Sequence, residues 1–170
     1  MNGSLFIRID DRLIHGQIVT AWAIILNIKK IIALDDALAV SEMLAEIMLM
    51  GISDAYEPEI LTTSAVESFL SHHPRDGNVL LVTRAAENLA LLQEQLSLVS
   101  AVNIGNCSRK EASSYVFKGI GVGQTLYFSE KDVEVLDDLS SKGIKTVFQQ
   151  MPTDKEVQWQ QIKEGLKRIE

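Results

Sequence analysis

The chain has 170 residues, of which 46% are apolar, so it is long enough to bury one core and short for two. Its net charge of −7, with basic residues scattered along the sequence, argues against a nucleic-acid-binding surface, because phosphate backbones require clustered cations. The single cysteine, Cys107, excludes an internal disulfide, and no secretory signal pattern opens the sequence. The apolar runs fall short of the roughly 20 residues that a membrane helix needs. These features predict a cytoplasmic protein that does not insert into a membrane itself.

The first predicted strand and helix enclose a charged loop. Residues 5–9 are rich in β-formers and predict a strand, while the apolar positions 18, 22, 25 and 26 predict a helix that begins near Gly16. The loop between them carries Asp10, Asp11, Arg12 and His15, and it lies at the carboxyl end of a strand just before a helix amino terminus. At such a place the helix dipole and the unpaired N–H groups favour an anion.

The imidazole and the guanidinium in this loop suit a phosphoryl group carried on histidine. Arg12 offers fixed donors that match phosphate oxygens, and it precedes His15 by only three residues. Because imidazole titrates near neutrality, an uncharged ring can act as a nucleophile through nitrogen. The residues by themselves also allow a histidine that is merely bonded in the loop or core, beside an Asp10–Arg12 ion pair confined to the turn. Both interpretations stay open at this point.

The rest of the chain alternates between strand and helix patterns. Further strands are predicted at residues 31–34, 59–62, 79–82, 98–104, 127–128 and 144–148. Helices are predicted at residues 42–50, 64–70, 84–95 and 130–142, and from about residue 152 to the end. This alternation predicts a single α/β domain over residues 1–170, with a mainly parallel sheet of about six or seven strands and helices on both faces.

Three stretches are interpreted as structural. The methionine-rich spacing within residues 42–50 is typical of a helix packed into the core, and His72 and His73 fall in a turn without an acidic or cysteine ligand pattern for a metal. The glycines of residues 119–123 lack nucleotide-loop spacing and indicate a strand connection or hairpin.

Other polar residues are expected at the same edge of the sheet as the charged loop. In open α/β sheets the ligand crevice lies beyond the carboxyl ends of the strands, where Asp35 and Asp36 follow the second strand and Asn106 follows the fifth. These three residues are candidates for lining the site. Aspartate is also a common helix cap and asparagine a common turn residue, so these structural roles remain alternatives.

Residues 8–17, together with Trp22, resemble the active-site segment of enzyme IIB from the mannose/fructose/sorbose family of the bacterial sugar phosphotransferase system. Residues 31–36, 102–106 and 149–154 resemble, in that order, the family's second strand and acidic turn, its Asn-x-Gly-Gly region, and its last strand and exit. The sequence departs from the family at Asn106, where a second glycine is common, and at Ser41, where asparagine or aspartate is expected. Residues 50–56 also lack the usual proline-rich turn.

The resemblance implies a phosphocarrier that needs no metal or organic cofactor. His15 would accept a phosphoryl group, through Nδ1, from a phosphohistidine of enzyme IIA and pass it to a sugar translocated by the IIC and IID membrane subunits, which would select the sugar. Arg12 would stabilise the phosphoryl group, with support from other residues of the segment, namely Asp10, Arg8, Gly16 and Gln17. The protein would lie in the cytoplasm, at the inner face of the membrane through these partners.

The alternative function is a non-catalytic α/β protein-binding or regulatory module that uses the same charged loop. Other enzyme classes lack their signatures. A response-regulator receiver needs an aspartate after the third strand and a lysine after the fifth, where Thr62-Thr63 and Gly105-Asn106 stand. A cysteine phosphatase needs an arginine six residues after its cysteine, and Cys107 has none there, so Cys107 is predicted to be inert.

Overall fold

The main feature of the fold is a seven-stranded sheet. The computed structural model describes residues 3–72, 76–92, 94–119 and 124–170. In chain order the strands of the sheet are β1 (Leu5–Ile9), β2 (Ile28–Leu34), β3 (Glu59–Leu61), β4 (Asn78–Thr83), β5 (Val99–Ile104), β8 (Lys145–Phe148) and β9 (Val157–Gln158). A second, antiparallel sheet contains β6 (Tyr115–Lys118), β7 (Thr125–Phe128) and β10 (Lys167–Arg168), in the order β10-β6-β7.

The order of the main sheet is β3-β2-β4-β1-β5-β8-β9, and every pairing is parallel except that of β8 with β9. β1 therefore lies between β4 and β5. At its end Ile9 pairs with Thr83 of β4 and with Ile104 of β5, so the three strands finish at the same level. The loops that follow them meet at one edge of the sheet, where an open α/β sheet forms its ligand crevice.

Helices cover both faces of the main sheet, which confirms the predicted fold class. The helical elements are a π-helical turn (Ile18–Trp22) that continues into α1 (Ala23–Ile25), then α2 (Asp36–Ala39), α3 (Glu42–Leu49), α4 (Thr63–His72), α5 (Glu130–Ser141) and α6 (Trp159–Gly165). Leu5, Ile7 and Ile9 of β1 pack into a core with α4, α5 and α6. On the other face of the sheet, Phe6 packs against a second core. This core contains residues of the first helix and Ile28, Ile31 and Ala33 of β2.

Two predicted helices differ in the structure. The described part of residues 84–95 contains no α-helix: the 3₁₀ turns Ala86–Leu92 and Gln95–Leu98 lie in this region, and Ala86, Leu89 and Leu92 are buried there. The last helix begins at Trp159 and not near residue 152, because Val157–Gln158 first pair with β8. The sequence pattern does not predict the short strands β6, β9 and β10, of which β9 and β10 have only two residues each and show no detectable periodicity.

The prediction that the methionine-rich helix packs into the core is wrong for Met43, Leu44 and Ile47, although Leu49 at the end of the helix is partly buried against the core. α3 has no buried residue, and Met43 and Ile47 are 68% and 56% exposed. Apolar spacing along a helix reveals an apolar face but does not tell whether another element of the fold covers it. The glycine segment is flanked by β6 and β7, which pair antiparallel as a hairpin would, although residues 120–123 lie outside the described residues, as does His73. His72 is exposed, and its Nδ1 lies 3.0 Å from the carbonyl oxygen of Ser68.

Candidate functional site

The loop after β1 is held between its two neighbouring strands. The N–H of Asp10 donates to the carbonyl of Thr83 at the end of β4 (2.8 Å), and the N–H of Gly105, after β5, donates to the carbonyl of Ile9 (2.8 Å). Leu13, which has a left-handed φ of 54°, and Ile14 are both buried in the core. A non-glycine residue adopts this conformation at a cost, and the burial of two large side chains offsets it. The loop therefore has a fixed shape.

Asp10 is the centre of the charged network. Its carboxylate is fully buried and accepts hydrogen bonds from the backbone N–H of Arg12 (3.0 Å) and from the Arg12 Nε (3.0 Å) and Nη2 (2.9 Å). His15 Nε2 lies 3.2 Å from Oδ2 of Asp10, and Arg8 Nη2 lies 3.4 Å from the same oxygen. Burial by itself would raise the pKa of the Asp10 carboxyl, but the hydrogen bonds from His15 and Arg12 hold it well below its usual range. Asp10 is therefore an anion that interacts with three side chains, those of Arg8, Arg12 and His15.

This contact defines the state of the His15 ring. An ionised carboxylate only accepts hydrogen bonds, so the Nε2 of His15 must carry the proton that it donates to Asp10. In a neutral ring the lone pair is then on Nδ1. The side chain of His15 is 19% exposed and that of Arg12 36% exposed, and their nitrogens share Oδ2 of Asp10. In a neutral ring, the nitrogen with the lone pair therefore belongs to a partly exposed side chain close to a guanidinium.

Arg8 lies behind the loop, on the side of the sheet that faces Trp22. It is 1% exposed, and its Nη1 donates to the Asn103 side chain and to the carbonyl of Gln149 (2.6 Å), while Nη2 donates to the carbonyl of Gln150 (3.1 Å). The guanidinium lies 5.1 Å from the centre of the Trp22 ring, whose Nε1 donates to the same Gln150 carbonyl (3.0 Å). Burial lowers the pKa of Arg8 to about 10, which leaves it charged at neutral pH. Arg8 thus ties the ends of β5 and β8 to Asp10.

Gly105 packs directly against this arginine. A Cβ atom at position 105 would lie 2.3 Å from Nη2 and 2.4 Å from Cζ of Arg8, which is far inside van der Waals contact. The absence of a side chain at this position therefore allows the guanidinium to lie flat against the backbone that follows β5. Gly105 is part of the Asn-x-Gly segment of the sequence, and its glycine makes room there for the guanidinium of Arg8.

Asp11 fastens the loop to the segment after β5. Its N–H donates to the carbonyl of Asn106 (2.9 Å), and its carboxylate accepts from the Asn106 Nδ2 (2.5 Å), the Ser108 N–H (2.6 Å) and the Ser108 hydroxyl. Asn106 therefore lies beside the loop and contacts Asp11, not His15.

The remaining predicted residues lie at different distances from the centre of the site. Asp35 caps α2 and forms an ion pair with Arg84 (2.9 Å), whose Nη1 donates to the carbonyl of Asp11 (2.6 Å). Asp36 is exposed, and its carboxylate accepts from the N–H and hydroxyl of Thr63 at the start of α4. The side-chain oxygen of Gln17 accepts from Arg12 Nη1 (3.4 Å). A Cβ at Gly16 would meet nothing within 4 Å, so the space next to the backbone is free there.

Comparison with known proteins identifies the family. The profile of the family described as PTS system sorbose subfamily IIB component matches residues 4–169. The chain belongs to this family. It is 28% identical over 159 residues to the fructose-specific EIIB component of Bacillus subtilis, a match that covers 91% of this chain and 92% of that protein. It is 24% identical to the mannose-specific EIIAB component of Escherichia coli K12, where the match covers 86% of this chain and 44% of that protein.

A solved structure agrees with the fold. The crystal structure of manxB from Thermoanaerobacter tengcongensis superposes with a TM-score of 0.77 at 25% identity, covering 95% of each chain. The protein is thus a IIB component of a sugar phosphotransferase system, a family of phosphotransferases that act together with IIA and membrane components. Membership in this family does not favour the non-catalytic alternative.

Several residues of the IIB site are absent from the set that the sequence predicts. Arg84 follows β4 at the same edge as the loop, and Lys110 Nζ donates to the carbonyl of Arg84 (3.1 Å). The strand-end rule that points to Asp35 and Asn106 applies equally to Arg84. Gln149 is buried and holds Arg8 through its carbonyl, a role that no side-chain pattern can indicate.

Neither a metal centre nor a membrane span is found in the part of the chain that the structure describes. No three or more histidine, cysteine, aspartate or glutamate side chains come together there as metal ligands. None of the helices described is long and apolar enough to cross a bilayer. Cys107 is buried, and burial raises the pKa of its thiol.

Proposed function

We propose that His15 is the phosphocarrier residue of this IIB component, taking a phosphoryl group from a phosphohistidine of IIA and passing it to a sugar at the IIC and IID membrane subunits. The observation that supports this most directly is the Asp10 contact on Nε2, which leaves Nδ1 as the free nitrogen at the exposed edge of the sheet. The reaction is that of a protein-N-phosphohistidine sugar phosphotransferase. The protein would act in the cytoplasm, at the inner face of the membrane through its partners.

In the first step, the Nδ1 lone pair of neutral His15 attacks the phosphorus on the donor histidine. The donor P–N bond breaks, and its electron pair returns to the donor ring. The His15 ring becomes more cationic, and Asp10 stabilises it because the buried carboxylate keeps its hydrogen bond to Nε2. Arg12 stabilises the phosphoryl oxygens, whose charge spreads in a loose transition state.

In the second step, a sugar hydroxyl oxygen forms the new P–O bond. The P–Nδ1 bond breaks with its electron pair returning to His15, and the hydroxyl loses its proton to water. Both steps use the same nitrogen, so the IIA donor and the sugar acceptor must bind at the same edge of the sheet, one after the other. Fixed positioning of Nδ1 and Arg12 by Asp10 is the main catalytic contribution of this chain.

A labelling assay with ³²P-phosphorylated IIA, quenched in alkaline detergent so that an acid-labile label survives, tests the proposal. The expected label is labile to heat and acid, stable to base, and lost in His15→Gln. His72→Gln is the matched control, because His72 is exposed on α4 and should leave labelling unchanged. Full labelling of His15→Gln would refute the assignment.

A further inference from the structure

The face of α3 that the fold leaves uncovered has a regular composition. Met43 and Ile47 lie four residues apart on α3 and share one side of the helix, while Val40 stands just before the helix and Met50 caps its carboxyl end. Val40, Met43, Ile47 and Met50 are 79%, 68%, 56% and 74% exposed, and Leu44 beside them is 47% exposed. All five are large apolar residues that the fold leaves exposed. We call Val40, Met43, Leu44, Ile47 and Met50 the α3 stripe.

The surroundings of the α3 stripe are acidic. Residues 31–74 contain eight aspartates and glutamates and no lysine or arginine, although two of the eight pair with cations from elsewhere in the chain, Asp35 with Arg84 and Glu59 with Lys30. Two of the acidic residues, Glu42 and Glu46, are exposed on α3 itself. The stripe is therefore an apolar surface with a negative border, and a partner that fits it has apolar side chains bordered by lysine or arginine. An anionic lipid surface is disfavoured by the same charges.

The α3 stripe is linked to the edge of the sheet that carries His15. α2 and α3 follow β2 directly, and Asp35 at the cap of α2 binds Arg84, which in turn binds the backbone of Asp11 in the carrier loop. Val40, the first residue of the stripe, stands only five residues after Asp35. The amino-terminal end of the stripe is therefore the end connected to the carrier loop.

We propose that the α3 stripe docks a cationic amphipathic segment that the membrane subunits present at the cytoplasmic face. The proposal rests on the proposed function, which requires His15 to meet a sugar at a membrane complex. Cytoplasmic loops of membrane proteins carry an excess of lysine and arginine, which complements the acidic border, and amphipathic segments commonly bind through apolar anchors at helical spacing. The stripe thereby holds the carrier at the membrane while the loop after β1 remains free for transfer.

The test measures binding to vesicles by cosedimentation. The probes are phosphatidylcholine proteoliposomes that contain the IIC and IID subunits, empty phosphatidylcholine vesicles, and vesicles that also contain phosphatidylglycerol. We expect the chain to bind only the proteoliposomes. The pair Met43→Gln and Ile47→Gln should weaken binding at least tenfold, as should Glu42→Lys with Glu46→Lys, and higher salt should weaken it further. All four side chains are exposed, so urea unfolding should be little changed.

Leu91→Gln with Leu98→Gln is the matched control. These leucines are 77% and 56% exposed on 3₁₀ turns that pack on the opposite face of the sheet, and their replacement should leave binding unchanged. Absence of wild-type binding to the proteoliposomes, equal loss in the two apolar pairs, or equal binding to empty vesicles would overturn the proposal. So would a self-associated wild type that the stripe variants dissociate, which would make a second copy the occupant.

Two further readouts separate this proposal from the carrier assignment. The stripe variants should still take label from phosphorylated IIA at the wild-type rate, and loss of that rate would show that the stripe is the donor's docking surface instead. His15→Gln should take no label yet bind the proteoliposomes normally. A His15→Gln variant that labels fully would refute the carrier role alone.

Discussion

Alanine at position 105 tests whether the buried arginine supports the carrier loop. The added Cβ would lie 2.3–2.6 Å from Nη2, Cζ and Nε of Arg8. The guanidinium cannot move aside easily, because it is held by carbonyls after β8, by Asn103 and by the Trp22 ring. Overpacking of this kind costs about 1–3 kcal/mol, and the smaller entropy of an unfolded alanine chain offsets at most about 1 kcal/mol of it.

We therefore expect Gly105→Ala to lower the free energy of unfolding by roughly 1–2 kcal/mol after this offset, read as a lower midpoint in urea. Transfer from phosphorylated IIA should slow by about 10- to 100-fold, because a displaced Arg8 withdraws a donor from Asp10 and shifts His15. Gly16→Ala is the matched control: it lies in the same segment, its Cβ would meet nothing within 4 Å, and stability should stay the same or rise slightly.

A double-mutant cycle with Arg8→Met identifies the cause. If the clash with the guanidinium is responsible, Gly105→Ala should cost markedly less in the Arg8→Met background. Equal costs in the two backgrounds, or a Gly105→Ala variant as stable and active as Gly16→Ala, would refute the reasoning.

Three further predictions concern single groups of the network. The pKa of Asp10 is lower in the folded chain than the unfolded value of about 3.9, so its stabilising contribution is complete above about pH 5 and is lost progressively as the pH falls below 4 toward the much lower folded pKa. Asp10→Asn should remove this part of the acid limb in urea titrations and cost about 3–5 kcal/mol at pH 7, because Arg8 keeps a buried charge; an unchanged acid limb would contradict this. Arg12→Ala should change stability by less than about 1 kcal/mol but slow labelling by about 100-fold or more, with Arg12→Lys between the two; unfolding of Arg12→Ala would show that the arginine is structural. Cys107 should react with N-ethylmaleimide only after urea is added, since burial raises the pKa of its thiol, and rapid labelling of the native chain would count against its inertness.

The sequence by itself determined the fold class and the family. The alternation of strand and helix patterns is a local property, and so is the concentration of Asp10, Arg12 and His15 between one strand and one helix. The resemblance of residues 8–17 to the IIB family is carried by contiguous residues, which explains why the amino-acid sequence alone is enough to indicate the family.

Only the tertiary structure decided which groups meet. Arg8 and Arg12 both flank Asp10 in the sequence, yet one is buried behind the loop and the other is exposed beside His15. The reason is that Arg8 belongs to β1, which lies between β4 and β5, whereas Arg12 lies in the loop beyond the end of that strand. Asp35 and Asp36 are adjacent, but the first reaches Arg84 at the site edge and the second caps α4.

The same limit applies to the surface of the protein. The periodicity around Met43 and Ile47 indicates an apolar helix face, but whether that face is covered depends on the packing of elements that are distant in the chain. The spacing of apolar residues within one segment shows which side chains share a face of its helix. Which element packs against that face depends on the order and pairing of the strands, and these involve residues far apart in the sequence.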